Sequence, residues 1–283
     1  MPTPPLSRSF ALLTTAFPHG AYQSQDFNKP DLRAPSVKGQ LRWWFDALFG
    51  DKPAEDRLFG GLKLPRENEK PGPQASRVLV RVHCTGQPRH IKAEFIPHKK
   101  AQGGQKNGIE PGTVFEVTLF SRRQDWSTEE QQRLNRVLDA WLLLGGVGQR
   151  ANRGAGSLWP ECAEHPNAAS YLERVRSLLA GSRLRAAVVG PSFQSEIQLR
   201  DVAGDFLSDE AFLHVRTPFG SARPRKPSLL KLRAARIDGE LRLVAIWDGR
   251  FQPSGTLSEA VSLLAQKKDI GRMLKEALPE LLR

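Results

Sequence analysis

Cysteine is nearly missing from this 283-residue chain, which has only Cys84 and Cys162. They stand far apart and outside any CxxC, so neither a disulfide framework nor a thiolate zinc site is signalled, and both read as small buried hydrophobes. Histidine is sparse too: the six residues His19, His83, His90, His98, His165 and His214 form no HExxH or HxxxH pair, so no metal site is expected. No apolar run approaches the roughly 18 residues of a bilayer-spanning helix, and MPTPPLSRSF has no apolar signal region. A basic amphipathic helix with an aromatic apolar face is also lacking. The chain is therefore read as cytoplasmic, with no membrane contact. Acidic residues are the last shortfall, 30 against 42 Lys plus Arg, which leaves a formal net charge of +12 and a pI near 10.1. Such an excess suits a polyanionic partner, nucleic acid first.

What is present is an ordered alternation of strand and helix patterns. Residues 7–15, SRSFALLTT, read as a strand, and Ser36 as the cap of a helix over about 37–49 with the apolar stripe Val37, Leu41, Trp44, Phe45 and Leu48. SRVLVRVHC alternates at Val78, Val80 and Val82, and TVFEVTLFS puts Phe115, Val117 and Leu119 on one face. STEEQQRLNRVLDAWLLL opens with the capping pair Ser127 and Glu130 and carries the stripe Leu134, Val137, Leu138, Trp141 and Leu142. With GSLWPE as a last strand the order is βαββαβ. Residues 86–112, with five Lys/Arg to two acidic residues, are expected to be a long mobile loop. The second half reads as a helix near 168–179, a hairpin turning at Asp238-Gly239, and a helix over 257–282. The expected fold is α+β: a ferredoxin-like (RRM-like) βαββαβ domain over 1–162, followed by a second, degenerate ferredoxin-like domain over 163–283.

Between the second helix and the last strand of the first unit lies GGVGQRANRGAGSL, residues 145–158, with five glycines, two arginines and no acidic residue. It follows a helix instead of opening one, so it is no dinucleotide fingerprint, and Gly145 is expected in the left-handed position past the helix end. No lysine follows its glycines, which excludes a P-loop. What remains is a basic turn in which N–H groups uncovered at Gly146, Gly148, Gly154 and Gly156 meet phosphates beside Arg150 and Arg153, while Gln149 and Asn152 reach ribose or base edges. A flexible surface turn that happens to be basic is the alternative. In the first helix Lys38 and Arg42 stand at i and i+4, with Trp43 beside them either to stack a base or to pack on the second half. Residues 214–250 carry nine Lys/Arg against three acidic residues and read as a second RNA surface or a solvated hairpin, with Arg223, Arg225 and Lys226 clustered in a loop. Four phosphates met by Lys38, Arg42, Arg150 and Arg153 would give a log-log salt slope of about −2.8.

PSVKGQLRWWFDALFG (35–50), LFGG (58–61), the glycine loop and, more weakly, RKPSLLKLRAARIDGELRLVAIWDGRFQP (225–253) together resemble the RAMP superfamily of CRISPR-associated RNA-binding proteins. The likeness is greatest to the first-numbered RAMP subunits of type III-B (Cmr) effector complexes. It implies one or two RRM-like domains, no cofactor, and a place in an antiviral ribonucleoprotein beside other RAMP subunits. Its partners would be the CRISPR guide RNA, near the 3′ part, and complementary target RNA. Target cleavage in that family is attributed to a different subunit, so this chain is expected to bind and position RNA without cutting it. The rival is a RAMP-type endoribonuclease that processes CRISPR transcripts, with His19 or His98 as general acid or base. Neither histidine has a companion Tyr, Lys or Ser fixed by spacing.

Overall fold

The computed structural model describes residues 4–19, 29–63, 72–99, 104–122, 125–161, 167–205, 221–222, 225–226, 228 and 230–249. The first unit runs β1 (Leu6–Leu12), α1 (Ala34–Phe49), α2 (Lys52–Phe59), β2 (Gly61–Lys63), β3 (Gly72–Gln74), β4 (Val78–Cys84), β5 (His90–Glu94), β6 (Gln105–Ile109), β7 (Val114–Ser121), α3 (Thr128–Leu144) and β8 (Leu158–Pro160). The second runs α4 (Ala168–Leu179), β9 (Leu184–Phe193), α5 (Glu196–Asp205), β10 (Ser221–Ala222), β11 (Arg225–Lys226), β12 (Lys231–Ile237) and β13 (Glu240–Asp248).

In the first unit the main sheet has the order β4-β7-β1-β8, with every neighbouring pair antiparallel. Read from β8, this is the fourth, first, third and second strand of a βαββαβ chain, the ferredoxin-like order. α1 and α3 cover one face. Their expected stripes are all buried, against Phe10, Leu12, Val78, Phe115, Val117 and Leu119 of the strands. Aromatic packing ties the layers together: Phe10 stacks on Phe115 at 5.8 Å and meets Trp141 of α3 edge-on at 5.4 Å.

The local chemistry explains most element ends. α1 starts at Ala34, earlier than the Ser36 cap predicts, because Pro35 supplies a helix-compatible φ in the first turn and Arg33 takes the cap position with no side-chain bond. It stops at Gly50, whose φ of 63° lets its N–H reach Asp46 O. α2, only eight residues long, is capped by Asp51 accepting from Ala54 N and buries Ala54, Leu58 and Phe59. The capping box of α3 forms as expected, with Ser127 and Glu130 bonding reciprocally. Residues 86–112 are not one long loop: β5 and β6 pair from His90↔Ile109 to Glu94↔Gln105, and Ile109 is buried against Ala16. The segment is polar because hairpins on a surface need few apolar residues, and that polarity hid it. Cys84 is half-buried, and burial pushes its thiol pKa up; Cys162 lies outside the described residues.

The second unit has a three-stranded sheet of order β12-β13-β9, again antiparallel. Read from β9, which α5 follows, this is the first, third and second strand of the same fold. The hairpin turns at Asp238 and Gly239, φ 53° and 79°, with Ile237 opposite Glu240, as the type I′ reading requires. α4 occupies the expected residues, its N-cap Asn167 accepting from Ser170 N. The expected helix over 257–282 lies outside the described residues. A single buried cluster runs from Phe10 through Trp141 to Leu232 and Ile246, so the two units share one core.

Candidate nucleic-acid interface

The glycine loop is built into the protein and does not hang from it. Gly145 is extended (φ −90°, ψ 179°), not left-handed; a side chain there is excluded because a Cβ would lie 2.1 Å from Trp141 O. At Gly156 (φ 59°) a Cβ would lie 2.0 Å from Val147 O, and at Gly148 (φ 84°) it would lie 2.7 Å from the Phe17 backbone. The N–H of Gly154 donates to Leu232 O at 3.0 Å and that of Gly156 to Thr15 O at 2.9 Å. These two groups therefore face protein carbonyls, which corrects the expectation that they are uncovered toward phosphate. The loop crosses between the units, and close backbone approach is what its glycines permit.

Its side chains divide. Arg150, itself at φ 55°, reaches the β5–β6 hairpin, its guanidinium 5.8 Å from the Phe95 ring centre, where Lys106 Nζ lies at 4.1 Å. Lys106 also donates to Gln149 Oε1 at 3.2 Å. Burial, then the nearby Arg200 charge, lowers the Arg150 pKa. Arg153 turns toward the second unit, pairs its backbone with Leu232 and comes within 3.5 Å of Ser228 Oγ. Burial, then Arg150, pushes it down to about 10.

The first helix divides too. Trp43 packs edge-on against Trp44 at 5.2 Å, and Lys231 Nζ of β12 stands 4.6 Å from its ring centre, so Trp43 meets the second unit. Lys38 and Arg42 are on the other side of α1. Arg42 is held by Glu55 and by Asp56, the latter at 2.7 Å, with Lys52 beside both carboxylates. Lys38 neighbours Arg42 and Arg122, and burial followed by those two charges lowers its pKa. Arg223 lies outside the described residues, and Arg225 and Lys226 form β11, their side chains beyond what is described.

Sequence reasoning marked residues 214–250 as a basic candidate surface but did not single out the residues within it that complete this region. A cleft of about 330 Å³ between α1, the glycine loop and β12 is lined by Ser36, Gly39, Gln40, Trp43, Trp44, Ala151, Asn152, Lys231 and Arg233. Arg233 is 5% exposed and donates to Ala151 O, to Leu232 O at 2.9 Å and to Asn152 Oδ1 at 3.3 Å. A Cβ on Gly146 would sit 3.0 Å from its Nε, so that glycine makes room for the guanidinium. Burial pushes Arg233 down to about 9, and burial with the Arg233 charge brings Lys231 to about 8, against a small opposing pull from Asp248. The available signal was the run KLRAAR, in which the charges at 231 and 233 fall on one strand face. A smaller groove of about 160 Å³ continues past Ser36 and Gln40 to Pro18, His19, Asp31, Gly148 and Gln149.

The open face of the main sheet is chemically different. Its central positions, Ser7, Ser9, Glu116 and Thr118, are small or acidic, with Ser7 Oγ 2.9 Å from Thr118 Oγ1, and the rings on this face, Phe120 and His83, stand toward the β4 side. Aromatic and basic groups gather on the side of α1, the glycine loop and the β5–β6 hairpin.

This combination of a ferredoxin-like unit, a glycine-rich loop after its second helix and a basic interunit cleft defines a class: residues 12–159 match the RAMP superfamily, and the chain belongs to it. Among individual relatives, it is 31% identical over 152 residues to the CRISPR system Cmr subunit Cmr1-1 of Pyrococcus furiosus, covering 46% of this chain but 40% of that protein. It is 27% identical over 185 residues to Cmr1-2 of the same organism, covering 52% of this chain and 89% of the relative. The fold matches the crystal structure of apo Cmr1 from Pyrococcus furiosus with a TM-score of 0.57 at 20% identity, over 89% of each chain. It also matches a chain of a cryo-EM structure of type III-B Cmr-beta bound to cognate target RNA, with a TM-score of 0.60 at 10% identity, over 92% of this chain and 98% of that one.

Proposed function

We propose that this chain is a non-catalytic, RNA-binding subunit of a type III-B CRISPR ribonucleoprotein effector complex. In this reading it holds the 3′ part of the guide RNA, the guide–target duplex, or both, beside other RAMP subunits. The observation that carries the reading is the surface where Arg150 and Lys106 converge on Phe95, with Gln149 at its edge. Neither cation forms an ion pair with a carboxylate among the described residues, unlike Arg42. Two unneutralised cations beside a ring and a hydrogen-bonding amide suit phosphate and base together. The net charge of +12 and the similarity to Cmr1 proteins support the same conclusion.

The test is filter binding of single-stranded RNA over a range of salt. Arg150→Ala with Lys106→Ala is expected to flatten the log-log salt slope by about 1.4, two phosphates at roughly 0.7 each. An unchanged slope would overturn the assignment of this surface. A second reading, an endoribonuclease, draws on His19, whose Nε2 is buried with no hydrogen-bond partner among the described residues, at the groove that also contains Asp31. Metal-free incubation with repeat RNA decides between the two: no discrete product is expected, and cleavage that disappears in His19→Ala would replace the binding role.

A further inference from the structure

Arg200 and Glu196 of α5 form an ion pair one helical turn apart in the second unit, with Arg200 2% exposed and Glu196 15%. A pair withdrawn from solvent in this way adds little stability over apolar packing and is of use where it fixes a geometry. Arg200 Nε and Nη2 donate to the carboxylate, Nη2 at 3.0 Å, which leaves Nη1 for Glu94 O of β5 at 2.7 Å. The carboxylate in turn accepts from Thr15, from its N–H at 3.3 Å and from its hydroxyl at 3.1 Å. Both outward contacts therefore end on the first unit, and each ends close to an aromatic residue: Glu94 precedes Phe95, and Thr15 stands just before Ala16 and Phe17. Phe17 is fully buried, meets Phe95 edge-on at 5.2 Å, and has the Arg200 guanidinium 5.7 Å from its ring centre. Its carbonyl also accepts from Gln149 N at 2.9 Å, so the glycine loop is seated on the same residue.

We infer that Glu196 and Arg200 are positioning residues through which the second unit sets the far end of the β5–β6 hairpin, and with it the spacing of Phe95, Lys106 and Arg150. The inference rests on the RNA-binding reading for what that surface holds, though not for what holds the surface. The hairpin is anchored at its base, where Ala16 and Ile109 exchange backbone hydrogen bonds at 3.1 and 2.8 Å. Phe95 and Lys106 lie at the other end, beside the Glu94↔Gln105 pair. A two-stranded hairpin holds its shape poorly by itself in water, so a ring and a cation at that end need support from outside. Arg200 supplies it at Glu94 O, and α5 also packs on the Pro97–Lys99 turn just beyond. Charge explains why the support is a pair. Lys106 and Arg150 already gather at Phe95, and Arg200 brings a third cation near Arg150. The Glu196 carboxylate neutralises the buried one, so the other two face an outside anion without a further like charge behind them. Arg200 is itself too deeply buried to meet RNA and acts through the hairpin.

The experiment compares the full chain with a variant carrying Glu196→Gln and Arg200→Met, which removes both charges together and leaves neither buried alone. Hydrogen exchange reads the hairpin, and filter binding of single-stranded RNA over a range of salt reads the surface. The amides over 93–95 and 104–106 should exchange at least about tenfold faster, as the loss of a charge-assisted hydrogen bond requires, while those of β1 and β7 keep their protection. The log-log salt slope should flatten by at least about 0.7, half of what the loss of Arg150 and Lys106 gives, and combining the pair variant with Arg150→Ala and Lys106→Ala should flatten it no further. A pair that only stabilises would raise exchange in all elements alike and leave the slope of the folded protein as it was. That result overturns the proposal, as does an effect on the slope that adds to the loss of Arg150 and Lys106. Should the pair variant not fold, Arg200→Lys, which keeps the charge but cannot serve Glu196 and Glu94 O together, carries the same comparison, with hairpin exchange at least about threefold faster. If the hairpin loosens while removal of Arg150 and Lys106 leaves the slope unchanged, the positioning stands and the RNA assignment of this surface falls. If that removal flattens the slope but the pair variant changes neither slope nor hairpin, the RNA reading stands and this inference falls.

Discussion

Gly156 and Gly39 separate two uses of the same residue. Gly156 needs glycine on both counts, a φ of 59° and a Cβ position 2.0 Å from Val147 O, so Gly156→Ala is expected to cost at least about 2 kcal/mol in urea denaturation. Gly39 sits inside α1 with nothing within 4 Å of a Cβ, and Gly39→Ala should stabilise by about 0.5–1 kcal/mol in the same assay. Equal effects at both positions would mean that the loop does not hold the close packing described. Lys231 makes a prediction in pH. Its pKa falls from 10.5 to about 8 on folding, through burial first and the Arg233 charge second, with Asp248 opposing. Below pH 8 it is protonated in both states and the cost of burying the charge is fully felt. Between about 8 and 10.5 the unfolded chain holds more protons at this site, so stability rises with pH. Comparing denaturation midpoints of wild type and Lys231→Met across this window should show the variant lacking that upward contribution. Identical pH profiles would refute it.

At the scale of elements, the sequence was legible where one physical signal dominated. The stripes of α1 and α3, the Ser127 capping box and the Asp238-Gly239 turn each follow from periodicity or from positive φ, and each is where the pattern puts it. From these the ferredoxin-like order followed. The β5–β6 hairpin, β9 and α5 were missed for a shared reason: each draws its stability from contacts far along the chain. Ile109 is fixed by Ala16, and Arg200 of α5 is tied to Glu94 O at 2.7 Å. The candidate site was half legible. Arg150, Gln149, Asn152 and Trp43 were found because glycine and tryptophan stand out locally. Arg42 has the right residue type, but its partners Glu55 and Asp56 stand on α2, a helix of only eight residues that was not singled out. Lys231 and Arg233 were not singled out because, in a hairpin that also carries Arg236, Glu240 and Arg242, a charge looks like an ordinary outward position until the facing unit is known.

For the whole molecule, the issue is whether two ferredoxin-like units behave as one. The edge strand β12 leaves N–H and C=O groups unpaired by its own sheet, and the glycine loop satisfies them: Leu232 pairs with Asn152 and Gly154, and Ala234 N donates to Ser157 Oγ at 2.9 Å. Ser157 is fully buried, and its hydroxyl also donates to Gly154 O at 3.0 Å, whose oxygen accepts from Thr14 Oγ1 at 2.6 Å. One hydroxyl therefore links the first strand region, the loop and the second unit. Ser157→Ala removes no apolar volume and changes no backbone angle, yet it strands a buried N–H on Ala234, a loss of about 1–3 kcal/mol. Because the strained group belongs to one unit and the missing one to the other, both should lose stability together. The expected result is a lower urea midpoint with an unchanged slope and coincident transitions by far-ultraviolet circular dichroism and tryptophan fluorescence. Transitions that separate, with one unit unfolding ahead of the other, would show that the shared core is not the cooperative unit of this protein.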